Sequence, residues 1–136
     1  IDTLGEAANE ATVIQRILEF YNALTGADVI AYCPQGSDLS HIKVLGSADM
    51  EKLCGLFTVF DGAYRLNESG KGFIFKISGR GEQYGMLLVE GFSPQRSVPH
   101  FLNLSLNFSR VFALALSNAR KVEDLLHAKR KIGEKA

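Results

Sequence analysis

The stretch Gly85-Met86-Leu87-Leu88-Val89-Glu90-Gly91-Phe92-Ser93-Pro94 decides how this chain is read. It ends a strand, Glu82–Glu90, and passes through a short Pro-containing link into a helix. Immediately upstream, residues 71–78 read as a second long strand, joined to the first by the turn Gly79-Arg80-Gly81. Phe73, Phe75 and Ile77 share one face of it, because side chains alternate along a strand. Downstream, Ser97 and Pro99 mark a helix start. That helix is apolar nearly all round as far as Leu116, then charged, and runs to about residue 131.

Farther upstream, Tyr64–Leu66 reads as a short strand and Asn67-Glu68-Ser69-Gly70 as a loop. Residues 48–57 form a helix that Ser47 can cap, with Asp49 and Glu51 at its positive end. Residues 28–33 and 39–45 form a hairpin. The first strand is apolar on both faces and therefore interior. In the second, Ile42 and Val44 alternate with His41 and Lys43, the pattern of an edge with one wet face. Residues 4–24 read as an opening helix that Gly26 ends. One apolar row on it holds Leu4, Ala8, Ala11, Ile14, Leu18 and Tyr21, and a second holds Val13, Ile17, Phe20 and Leu24. Antiparallel strands in the middle with long helices at both ends make an α+β domain.

The 136 residues suit one domain, with 46% apolar and 22% charged residues. Lys+Arg and Asp+Glu both number 15, which argues against nucleic acid or an anionic membrane as partner. Cys33 and Cys54 are too few for a disulfide framework and form no CxxC pair. Free thiols, no secretory signal and no membrane-length apolar run lead us to expect a cytoplasmic protein. The chain opens on Ile1 rather than Met, which reads as a domain excised from a longer protein.

The strand ending Val89-Glu90-Gly91-Phe92, the Pro-containing link and the helix run Phe112-Ala113-Leu114-Ala115-Leu116-Ser117-Asn118-Ala119-Arg120 resemble the C-terminal half of GAF domains. The resemblance is to those of bacterial and archaeal sensor histidine kinases and diguanylate cyclases. It is close over roughly the last 70 residues. The first half agrees in element order alone. The resemblance implies a GAF/PAS-like, profilin-like antiparallel sheet of order 2-1-5-4-3 with the terminal helices on one face. It also implies a small-molecule pocket on the other face, roofed by the middle helix. The expected division is one sensory domain over residues 1–136: an N-terminal helix (1–26), a sheet core with the middle helix (27–96) and a C-terminal signalling helix (97–132).

Candidate pocket residues are Cys54, Phe57, Phe60, Phe73, Phe75 and Tyr84, which either line an apolar pocket or fill it. Cys54 lies on the roofing helix. A redox- or haem-sensing thiol stands against the simpler reading of a small buried hydrophobe. His41, His100 and His127 stand at no metal spacing, so no metal, haem or tetrapyrrole is expected. The ordered Asn-Lys and Asp-Glu elements of cyclic-nucleotide-binding GAF domains are missing, which disfavours cyclic GMP and AMP. The run 67–72 lacks the glycine spacing of a phosphate loop and precedes a strand. No nucleophile–base–acid set is present, so no catalysis is expected.

On the last helix, Phe101, Leu104, Phe108, Val111, Ala115, Asn118, Val122, Leu125 and Lys129 are spaced by alternating threes and fours, a heptad seam. Up to Ala115, packing within the domain accounts for it. Beyond, it predicts a homodimer, with Leu4, Ala8, Ala11, Ile14 and Leu18 as a matching stripe for a four-helix bundle. Arg120, Glu123 and Asp124 read as surface pairs, and Lys129-Arg130-Lys131 as a solvated helix end. The expected function is a non-catalytic sensor in signal transduction. It binds an unidentified small molecule and drives an output domain of the same chain through the last helix. The alternative is a dimerisation spacer with a filled pocket.

Overall fold

The computed structural model describes residues 9–35, 41–46, 50–58, 60–92 and 95–135, with the side chains of residues 50, 95 and 127–135 outside the description. The chain forms helix α1 (Glu10–Thr25), strands β1 (Val29–Pro34) and β2 (Lys43–Gly46), helix α2 (Met50–Leu56), strands β3 (Tyr64–Leu66), β4 (Gly72–Gly79) and β5 (Glu82–Glu90), and helix α3 (Val98–Lys135). A short 3-10 turn, Gln95–Ser97, leads into α3. The expected cap at Ser47, residues 36–38 of the hairpin turn expected at 34–38, the first two residues of the strand expected at 39–45 and residues 4–8 of the opening helix lie outside the described residues.

Local chemistry accounts for the element ends. Asn9 caps α1, its side-chain oxygen accepting from the Ala11 amide at 2.7 Å. Gly26 closes α1 in the left-handed region at φ 63°, where a Cβ would be strained. The five strands form one antiparallel open sheet of order β2-β1-β5-β4-β3. β1 is interior and β2 is an edge, as their hydropathy patterns predict.

Strand alternation splits the sheet into two unequal faces. Ile30, Tyr32, Phe73, Phe75, Ile77, Leu87 and Val89 point to one side, where α1 brings Ile14, Ile17, Leu18 and Tyr21 and α3 brings Leu102, Ala113 and Leu116. Ala31, Cys33, Ile74 and Leu88 point to the other side and meet Leu53 and Phe57 of α2 and its following loop. The aromatic face therefore carries both terminal helices and the smaller aliphatic face carries α2.

The row of α3 that meets the sheet is built from small residues. Gly79 and Ala113 touch so closely that a Cβ on Gly79 would stand 3.1 Å from that of Ala113. Two serines in this row are buried and satisfied. The Ser109 hydroxyl accepts from the Ser78 amide at 3.1 Å and donates to the Lys76 carbonyl at 2.9 Å. Both are backbone groups of β4 beyond the last residue paired with β3. The Tyr21 hydroxyl donates to Ser105 Oγ at 2.7 Å, and Ser105 donates to the Phe101 carbonyl at 2.7 Å. These bonds fix the register of α3 on β4 and of α1 on α3, which apolar contact alone leaves loose.

The stripe Ala11, Ile14, Leu18 of α1 does not lie free for a partner. Ile14 and Leu18 are buried in the domain's own core, and Leu4 and Ala8 lie outside the described residues. Of the second row, Ile17 is buried in the same core and Val13 is half-buried against it, while Phe20 and Leu24 stand exposed.

Candidate functional site

Two surfaces follow from the sequence expectations: the α2 face of the sheet and the outer face of the terminal helices. On the α2 face the structure brings together three of the six predicted pocket residues. Cys54, Phe57 and Phe60 cluster with Ala31, Cys33, Ile42, Leu53, Ile74, Met86 and Leu88. Phe73, Phe75 and Tyr84 lie on the opposite face, under the terminal helices, and share no pocket with the other three. Strand alternation correctly puts Phe73 and Phe75 together. Their side of the sheet is set by the long helices, which need the larger apolar surface to bury their own.

Sequence reasoning missed two cations that hold the α2 face shut. Lys76 alternates with Phe75 and so points to the α2 side. Its ammonium donates to the Phe60 carbonyl at 2.8 Å and lies 4.8 Å from the Phe60 ring centre. Arg65 of β3 lies 5.1 Å from the same ring centre, donates to Thr58 Oγ1 at 2.6 Å and also donates to the Leu56 carbonyl. The strip after α2 is thereby latched to β3 and β4 through backbone carbonyls and an aromatic face. The signal lay in the alternation itself, since a lysine between Phe75 and Ile77 has to face away from them.

Cys33 is buried on this face, and burial pushes its thiol above the ordinary value, with Cys54 adding to the shift. It is a protonated thiol at neutral pH, the opposite of a reactive thiolate. Among the described residues no group of three or more His, Cys, Asp or Glu side chains could hold a metal ion. His100 is exposed and stands edge-on to Phe101, while the His127 side chain lies outside the description. The loop at 67–72 is a β3–β4 turn. Its Asn67 amide donates to Glu90 Oε1 at 2.9 Å, and Ser69 Oγ donates to the same carboxylate, 2.7 Å from Oε2.

On the second surface, the heptad seam and the sheet-facing row of α3 are different stripes. Leu102, Ser105, Ser109, Ala113, Leu116 and Ala119 are buried. Phe108 and Ala115 are half-buried beside them, and Phe108 joins Phe20, Tyr21 and Phe112 in an aromatic cluster between α1 and α3. Val111 is 60% exposed, so it is not the intradomain contact the seam predicts before Ala115. Asn118 is exposed, Val122 half-buried and Leu125 70% exposed. The reason is geometric: a helix of 3.6 residues per turn offers the sheet one stripe and leaves the next outside.

Arg120 is likewise no simple surface residue. Its Nε donates to Glu10 Oε1 at 2.5 Å, its guanidinium lies 4.7 Å from the Tyr84 ring centre, and it faces Glu82 at 3.6 Å. Glu123 accepts from the Glu10 backbone amide at 2.8 Å. Together they tie the first turn of α1 to α3 and to β5. Among the described residues no helix is long and apolar enough to cross a membrane. No family model, no curated protein and no solved structure matches this chain.

Proposed function

We propose that the chain is a non-catalytic sensory module of the GAF type that acts as a homodimer through its terminal helices. α3 is the observation that carries this reading. Its 38 residues span about 57 Å, against about 30 Å for the longest strand it covers. On its outer face Val111 and Leu125 are exposed and Val122 is half-buried, and Phe20 and Leu24 of α1 are exposed as well. A second copy meeting these residues about a two-fold axis buries them symmetrically. Helices packed in that way carry a signal outward by small relative shifts.

The packed α2 face favours the alternative of a dimerisation spacer. Leu53 and Phe57 are buried against Ala31, Ile74 and Leu88, themselves fully enclosed. A ligand entering there has to displace Phe60 from its two cations. Native mass spectrometry of the purified domain separates the two: a retained small molecule supports sensing, and bare protein supports the spacer.

The dimer has its own test. Sedimentation of the wild type at micromolar concentration is expected to give a dimer. Leu125→Glu and Val111→Glu are expected to weaken it at least tenfold while leaving the unfolding midpoint of the single chain, measured below the concentration of dimer formation, unchanged, because both side chains stand in solvent in the single chain. A monomeric wild type, or dimers indifferent to both changes, refutes this surface.

A further inference from the structure

A cleft of about 410 Å³ lies between the β4–β5 turn and α3, on the side of the sheet away from α2. Its charged lining residues are two arginines, Arg80 from the turn and Arg110 from the helix, both exposed. Ser117, Tyr84 and Leu114 complete the wall. Among the described residues neither arginine has an ion-pair partner. Glu82, at the start of β5, is engaged by the Tyr84 hydroxyl at 3.2 Å and by Arg120 at 3.6 Å.

Local structure brings these groups together. Arg110, Leu114 and Ser117 stand at helical spacing on one stripe of α3. The bare Gly79 lets the turn approach Ala113 and carries Arg80 to the same place. Arg80 sits at φ 54°, the only described non-glycine residue in the left-handed region, between two glycines that could occupy it without strain. Two exposed cations thus border one cleft, one of them on a backbone that disfavours a side chain. An anion in the cleft is attracted to both. Guanidinium forks match tetrahedral oxyanions, the Ser117 hydroxyl adds a further donor, and Leu114 offers an apolar wall to the remainder of a small molecule.

We propose that this cleft binds the phosphoryl group of a small organic phosphate. The site is independent of the family reading and of the α2 face. Its ligand bridges the β4–β5 turn and α3. Inorganic phosphate is the probe, compared with acetate and chloride at equal ionic strength near pH 7.5, with the full chain followed by thermal unfolding and calorimetric titration. A saturable rise in Tm specific to phosphate is expected. Arg110→Gln and Arg80→Gly should abolish it. Arg80→Gly should itself unfold no earlier than the wild type in chloride, since glycine relieves the backbone, so lost binding is not confused with lost fold. No response to phosphate, a response that acetate reproduces, or one that survives both substitutions overturns the proposal.

Discussion

Ser109 shows how much one hydroxyl can decide. It stands in a helix whose first half is apolar, where a serine reads as filler. In the fold it serves two backbone groups of β4, the Ser78 amide and the Lys76 carbonyl. Removing it leaves a donor and an acceptor without their partner at a part-buried site. Ser109→Ala is expected to cost about 1–3 kcal/mol, read from urea unfolding. An unchanged midpoint would mean that water replaces the hydroxyl and that the row is open. Nothing in the local sequence marks Ser109, because its partners lie more than thirty residues away. Lys76 was more legible: alternation with Phe75 and Ile77 already assigns it to the opposite face.

α3 carries two stripes whose roles the heptad spacing does not separate. Its strictly spaced apolar residues include Val111, which stands in solvent, while the neighbouring row of Ser105, Ser109 and Ala113 meets the sheet. Small residues lie there because β4 comes close. Ala113→Leu should therefore destabilise by about 1–3 kcal/mol through overpacking against Gly79. Val111→Glu should leave the unfolding of the single domain within about 0.5 kcal/mol of wild type. Chemical denaturation at a concentration below that of dimer formation compares the two. The reverse ranking would mean that the stripes are assigned the wrong way round. Sequence periodicity reveals that a helix has an apolar stripe, but the closeness of approach chooses which stripe packs.

Over the whole molecule the buried hydroxyls and thiol set the response to alkali. Burial raises the Tyr21 and Tyr32 phenols well above their ordinary 10.0 and the Cys33 thiol above its ordinary 9.0. A group raised in the folded state ionises first in the unfolded one, so the stability it contributes is complete below the ordinary value and falls as pH rises past it. Global stability should fall from about pH 9 upward and be flat between about pH 6 and 8 as far as these groups decide it. The double variant Tyr21→Phe, Tyr32→Phe should show a shallower alkaline slope in denaturation titrations, and an identical slope would assign the loss elsewhere. By itself the sequence determined the order and kind of the elements, the αL stop at Gly26, the interior place of β1 and the edge place of β2. These rest on periods of two and 3.6 residues and on turn chemistry, all local. Which set of strand side chains lies under which layer was decided only in the tertiary structure. Alternation puts Phe73 and Phe75 on a common face without naming it, and the competition between two long helices and one short one for the larger apolar surface assigns them to the helices. The same packing brings Arg80 and Arg110 to one cleft and Arg120 onto Glu10, placements of residues far apart in the chain that no local pattern encodes.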